Sequence, residues 1–412
     1  MPQQSATAVR GRILTPAFVL ITSLSLMIGI IQLGFSVALP VYVISIGRTA
    51  ADAGLTVGLF ALAAMIGRPF WGLMLDRMRK SMIYLLGALT FGAGCAMLVF
   101  PSQLDSLRYL LVARFIQGVG FSSLTTSAGA MIADILPRDR LAEGIGYYSL
   151  SGTVSNAIGP ILALTVASQA GYLAMFRVQL GLTVLTILLI LPLKKINPAE
   201  LASIHHPEPS AAPSAAAKPD RMQRSFWLAI VEPSALPFAG LMLGLAVVVG
   251  GVQTFLPVLT TSRQLGSTGL YFAIQAGAVL AIRLFYNRLV QAYHLHHLIQ
   301  FSIILIAAGM GVILVPHALA YYTSAIFYGL GFGFIYPVLN ALILENCPPA
   351  KRGQANATFF LSMDLGIGAG SILLGYLARQ LNTEAVFIVS VGLSLLTLGL
   401  SIPILKSHKH LS

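Results

Sequence analysis

Long apolar runs, broken by short clusters of Gly, Pro and charge, recur along the whole chain. A helix needs roughly 20 apolar residues to cross a bilayer core. Runs of that size predict helices over 17–46, 53–75, 82–100, 107–136, 144–168, 172–193, 227–258, 266–288, 297–316, 319–345, 354–379 and 383–405. The pattern predicts an all-α integral membrane protein with twelve transmembrane helices. The first run is too long for a signal peptide and lacks a small-residue cleavage site, so it is expected to be retained. One long polar stretch, 194–225, is rich in Ala, Pro and Ser and reads as a flexible linker. It divides the chain into six-helix bundles over 1–193 and 226–412. His205 and His206 fall in that linker and read as solvated side chains.

The two halves repeat. A shift of 211 residues places Gly118, Gly120 and Phe121 on Gly329, Gly331 and Phe332, and Pro137 on Pro348. It also places Leu150-Ser151 on Leu361-Ser362, Gly159 on Gly370 and Ile161-Leu162 on Ile372-Leu373. Near the start of each half, Leu39-Pro40-Val41 matches Leu256-Pro257-Val258 at a shift of 217. Paired helical halves of this kind mark transporters, whose halves rock about a site between them.

Composition agrees with the membrane reading. Of 412 residues 57% are hydrophobic and only 9% are charged, against about a quarter charged in soluble domains. The net charge of +12 raises nucleic acid as a partner, but its distribution removes the need for one. With both termini in the cytoplasm, seventeen Lys and Arg fall on the inner side and five outside, and Arg68, Arg114 and Arg283 lie within spans. That is the positive-inside bias of a protein facing an anionic inner leaflet, here the plasma membrane. Cys95 and Cys347 are too few and too far apart for a disulfide framework or a Cys-based metal site. No cofactor or metal is expected, and a monomer is.

Four stretches carry a family resemblance. After the second run, Gly72-Leu73-Met74-Leu75-Asp76-Arg77-Met78-Arg79-Lys80 has a Gly followed four residues later by Asp-Arg and further basic residues. Arg114-Phe115-Ile116-Gln117-Gly118-Val119-Gly120 puts an arginine two turns inside the fourth span. The fifth carries Gly146, then Gly159-Pro160, where small residues favour tight packing and the proline kinks the helix. The eleventh opens with Arg352-Gly353-Gln354-Ala355-Asn356. Together they resemble motifs A, B and, in part, C of the major facilitator superfamily, and within it the bacterial drug and metabolite exporters. Arg79 stands where the family's motif A has a glycine, and Ser155, Ala163 and Leu164 replace glycines of motif C. The resemblance implies the major facilitator fold, proton antiport and a lean toward export. Gly72 is expected to allow close helix approach, and Asp76 to cap the positive end of helix 11. It implies a link to proton coupling for Arg114, whose own chemistry allows equally a guanidinium bonded to helix carbonyls. The glycines and proline of the fifth span also read as a packing seam that importers would share.

Each carboxylate in lipid needs a reason. Lys80 and Arg77 call for an inner-surface acid, and Asp134 is well placed. Glu345 is its counterpart at a shift of 211, so both are expected to brace the inner gate with Asp76. Asp364 alone falls near the middle of a span, where it is protonated or paired, as proton coupling requires; a static Asp bonded to a neighbouring Ser or Asn, or neutral in place, fits the same position. Arg68 and Arg283 match at a shift of 215 and read first as paired architectural residues. If they face the cavity, an anionic or zwitterionic substrate fits better than a lipophilic cation. Gln32, Gln117, Asn156, Gln253, Gln275, Tyr336 and Asn340 are uncharged candidates for the substrate cavity, or for interhelical bonds. His294, His296 and His297 read as inner-surface polarity or partners for Glu345 before metal ligands.

These features predict a proton-coupled exporter of a small amphiphilic metabolite or drug by alternating access. A narrower version resembles opine-type metallophore exporters and takes an anionic or zwitterionic metal-chelating metabolite. An importer or lipid flippase would share the fold. A membrane enzyme finds no support, since no catalytic grouping or nucleotide-binding glycine loop is present.

Overall fold

The structure, a computed structural model, describes residues 13–75, 77–137, 140–191, 231–348 and 351–407. The expected linker, its two histidines and Asp76 lie outside these residues. Among the described residues there are twelve long α-helices and no strand. In the first half they are α1 (Pro16–Ser45), α2 (Ala50–Leu75), α3 (Lys80–Met97), α4 (Leu107–Ile135), α5 (Leu141–Ala170) and α6 (Tyr172–Ile190). In the second half they are α7 (Leu236–Arg263), α8 (Thr268–Ala292), α9 (Leu295–Val312), α10 (Ala318–Glu345), α11 (Arg352–Gln380) and α12 (Thr383–Ser407).

Local chemistry sets the helix ends. Before α2, the Thr49 N–H donates to the Asp52 carboxylate at 2.9 Å and the Asp52 N–H donates to Thr49 Oγ1 at 3.3 Å, a reciprocal cap. Thr15 and Ser267 accept from backbone N–H groups at the starts of α1 and α8, each at 3.2 Å. Gly171 alone separates α5 from α6, at φ 83°, a turn that favours glycine. Pro40 inside α1 and Pro257 inside α7 occupy repeat-matched positions. Within the seventh apolar run, Pro233 opens a short 3-10 turn over Pro233–Ala235 and α7 begins at Leu236.

Among the described residues, eleven of the twelve helices are long and apolar enough to cross a membrane; α4 is the exception. Its polar side chains are turned into protein: Arg114, Gln117, Ser122, Ser123 and Ser127 are all fully buried. Ser123 donates to the Ile83 carbonyl of α3 at 2.8 Å. Polar groups satisfied between helices spare α4 the cost of meeting lipid, so it spans despite its lower hydropathy.

Each half packs around its own apolar cluster, one built on Phe35, Phe91 and Phe176, the other on Phe238, Phe255 and Phe387. The halves meet mainly where α2 lies on α11 and α5 on α8. Contact along α2–α11 differs at its two ends. Toward the end where α2 begins and α11 finishes (the far end), the backbones nearly touch: a methyl added at Gly54 would fall 2.3 Å from the Ser371 carbonyl oxygen, and one at Gly58 would fall 2.6 Å from that of Gly368. At the near end, a methyl added at Gly72 or Gly353 would meet nothing within 4 Å. The close approach expected at Gly72 is therefore absent in this conformation; the glycines that do carry α2–α11 contact sit at the other end. Gly146 likewise faces open space, whereas Gly159 packs against the Ile30 carbonyl of α1 and Pro160 is buried beside it.

Candidate functional site

The far-end contact between α2 and α11 stops at an ion pair. Arg68, seven residues from the end of α2, donates through Nε to Asp364 Oδ2 at 2.5 Å and through Nη2 to Oδ1 at 3.3 Å. Its Nη1 donates to Thr125 Oγ1 of α4 at 3.2 Å, and its guanidinium lies 5.1 Å from the Phe360 ring centre. The two side chains are 14% and 7% exposed. Asp364 is thus paired, and its partner comes from the other half of the chain.

The second arginine reaches across the other seam. Arg283 of α8 donates to Ser149 Oγ at 3.2 Å and to the Ser149 carbonyl at 3.4 Å on α5. Between the arginines stands Tyr336, whose phenol is within electrostatic reach of Arg68, Arg283, Asp364 and Tyr148. Its ring packs on Phe359 and Phe332, at 5.3 and 5.8 Å between centres. The Tyr148 hydroxyl shares a 3.1 Å hydrogen bond with Ser25 of α1. Two arginines, one carboxylate, two phenols and an aromatic floor therefore converge where the halves meet. This arrangement can hold a small molecule with a polar head and an apolar body, and it can exchange one charge partner for another.

Arg114 lies elsewhere. It is fully buried in α4, donating to the Thr56 carbonyl of α2 at 3.1 Å and to Gln117 Oε1 at 2.7 Å. The Phe60 ring covers it at 4.2 Å, and its Nη2 has no partner among the described residues. Gln117 passes the contact on to Cys95 Sγ at 3.4 Å. Both residues serve the α2–α3–α4 core in this conformation and touch none of the central groups.

The remaining candidates are scattered. Gln32 donates to Ser36 of its own helix at 3.0 Å, and Asn340 to Asn356 at 3.2 Å. Asn156 and Gln253 are half-buried, and Gln275 is buried with an Oε1 that has no partner among the described residues. At the near end, Lys80 pairs with Asp134 at 2.5 Å, while Arg77 and Glu345 are exposed. Glu345 is within electrostatic reach of Tyr286. His294, His296 and His297 cluster at the start of α9, with two rings 3.9 Å apart. Among the described residues, no group of three His, Cys, Asp or Glu side chains could hold a metal.

The sequence reading missed the role of Arg68. Its match to Arg283 made both look architectural, and nothing local tied it to an acid 296 residues away. The one available signal was arithmetic: a lone mid-span acid requires a cation, and three intramembrane arginines were on offer.

The family model described as Major Facilitator Superfamily matches residues 18–292 and 241–410. The chain belongs to the Major Facilitator Superfamily. Among this facilitator's relatives is the staphylopine export protein of Staphylococcus aureus (strain Mu50 / ATCC 700699), 25% identical over 359 residues, which cover 86% of this chain and 87% of that one. Another is the quinolone resistance protein NorA of Staphylococcus aureus (strain MSSA476), 24% identical over 87% of this chain and 88% of that one. The fold is shared with the nucleoside transporter NupG, at a TM-score of 0.70 and 14% identity, covering 95% of this chain and all (100%) of that one. It is shared too with a bacterial homologue of the human lysosomal transporter Spinster, at a TM-score of 0.69 and 15% identity, covering 94% and 96%. The facilitator is a multi-pass membrane protein, and its relatives and fold are those of transporters.

Proposed function

We propose that this facilitator is a proton-coupled exporter of a small amphiphilic metabolite or drug, working as a monomer in the plasma membrane by alternating access. The observation that carries the reading is the Arg68–Asp364 pair, the link between the halves at mid-span. Both termini, and hence the near end, are cytoplasmic, so the conformation described is open to the cytoplasm and closed outside. The rocking units are residues 1–193 and 226–412, joined by the linker over 194–225.

A proton taken up by Asp364 cancels its charge and releases Arg68; loss of that proton restores the pair. Coupling follows because the strength of the α2–α11 tie depends on the protonation of one carboxylate. Arg114 contributes by bracing α4 against α2, the helix that carries Arg68. Asp76, Arg77, Lys80, Asp134 and Glu345 form the inner gate when the near end closes. The export direction is supported by the staphylopine export protein among the relatives, and the quinolone resistance protein NorA is a second relative that fits it.

A second reading narrows the substrate to an anionic or zwitterionic metal-chelating metabolite. It is favoured by the excess of arginine over acid at the site and by the staphylopine exporter among the relatives. The test begins by comparing culture medium of deletion and wild-type cells, which identifies the molecule that fails to appear outside. Purified facilitator in proteoliposomes should then move that molecule against proton flow, and Asp364→Asn should abolish the coupled proton flux. Unaltered coupled flux in that variant, or net accumulation on the cytoplasmic side, would overturn the assignment.

A further inference from the structure

The repeat places an arginine at equivalent points of the two halves, and only one of them is given a carboxylate. Arg68 lies over the Phe360 ring and pairs with Asp364, one helical turn further along α11. Shifted by 211 residues, Phe360 falls on Ser149, the residue that Arg283 contacts on α5. The position matching Asp364 is then Thr153, one turn on from Ser149 and on the same face of α5. Thr153 is uncharged and 6% exposed.

Among the described residues no carboxylate pairs with Arg283. Asp364 neutralises Arg68, so the centre of the site keeps one net positive charge, on Arg283 inside the span Thr268–Tyr286. A guanidinium at that depth calls for a counter-charge, and a neutral serine supplies only hydrogen bonds. Its two bonds, at 3.2 and 3.4 Å, are longer than those of a charge-assisted pair. Arg283 is only half-buried, so part of its side chain is free to meet another group. Planar carboxylate and planar guanidinium match as two parallel hydrogen bonds, which a serine cannot offer. The Tyr336 phenol stands beside it, and the Phe332 and Phe359 rings pack against that tyrosine, one tilted and one edge-on, giving apolar surface for the rest of the molecule.

We infer that Arg283 is the receptor for a carboxylate borne by the transported molecule, which takes beside Arg283 the place that Asp364 holds beside Arg68. The substrate class is an amphiphilic carboxylic acid, zwitterions included. The inference rests on the transport reading of this site, and is independent of proton coupling and of the direction of transport.

The test measures equilibrium binding with no gradient, so it stands apart from the flux assays above. Dansylglycine and its amide differ only in the carboxylate, and their fluorescence reports binding to the full-length protein in nanodiscs. The acid should bind saturably and at least about tenfold tighter than the amide. Arg283→Gln should erase that preference, and Arg283→Lys should keep part of it. Thr153→Asp leaves Arg283 in place but supplies an internal carboxylate; it should weaken the acid by a similar factor while raising the melting temperature. Equal binding of acid and amide, no binding of either, or a preference that survives Arg283→Gln would overturn the inference, even if proton-coupled export were intact.

Discussion

Removing one partner of a buried ion pair leaves an uncompensated charge in low dielectric, a loss of about 3–5 kcal/mol, whereas removing both is often nearly neutral. Asp364→Asn and Arg68→Gln are each expected to lower the melting temperature of the purified protein by several degrees. The double variant should recover most of that loss while remaining uncoupled in proteoliposomes. Additive losses in the double variant would mean that the two residues act apart. Arg114 calls for a different outcome. Lysine cannot fork to both the Thr56 carbonyl and Gln117, so Arg114→Lys should cost about 1–3 kcal/mol of stability. Its proton-to-substrate ratio should equal that of wild type, since Arg114 touches no member of the central site. At this scale the sequence disclosed types and depths and left partners hidden. Asp364 stood out because lipid makes any mid-span acid conspicuous. Arg68 did not, because its partner is set by how two helices from different halves come together.

The elements were the most legible level, for the same reason that lipid is a demanding solvent. A spanning helix has to satisfy its backbone internally and cover itself with apolar side chains, so its length and ends are written as hydropathy. The departures have local causes: Pro233 opens a short turn ahead of α7, and α4 hides its serines between α2 and α3. Glycines are harder to read, because a small residue permits contact without saying whether contact is made now. Gly58 makes it, and a side chain there would strike Ile372 and the Gly368 carbonyl. Gly58→Val should therefore penalise the far-closed arrangement and raise labelling of a cysteine placed at the far end of α11. Where the second half begins, Glu232 is buried, accepts from Lys351 Nζ at 3.0 Å and from Ser234, and its N–H donates to Thr358 Oγ1 at 2.9 Å. The hydrogen bond from Lys351 foremost, with that from Ser234, holds its carboxyl below the usual range. A depressed carboxyl pKa stabilises the fold above the unfolded value, near about 4.3, and that gain is lost as pH falls through the folded one. The melting-temperature gap between wild type and Glu232→Gln should thus be constant above about pH 5 and close in more acidic buffer. A gap that instead widens toward low pH would contradict this account.

For the whole molecule the governing fact is that near-symmetric halves are joined by unequal ties. One seam, α2 on α11, carries a bidentate charge pair and glycine-mediated contact toward the far end; the other, α5 on α8, carries an arginine on a serine. The repeat was visible in the sequence, but the inequality was visible only as Asp364 standing at the position that Thr153 holds in the other half, two letters without a neighbour to give them meaning. Rocking requires that the near ends of α2 and α11, where a methyl added at Gly72 or Gly353 meets nothing in this conformation, come together when the far ends part. The Asp76 expected to cap α11 follows Gly72 by four residues in the sequence, and its capping is expected in that state. Cysteines introduced by Gly72→Cys and Gly353→Cys, in a background lacking Cys95 and Cys347, should cross-link poorly in the conformation described here. Gly58→Val, by weakening far-end closure, should raise the yield of that cross-link several-fold, and the cross-linked protein should not transport until reduced. A cross-link forming equally well with and without Gly58→Val would mean that the two ends of the α2–α11 seam do not open in opposition, and alternating access would then need another hinge.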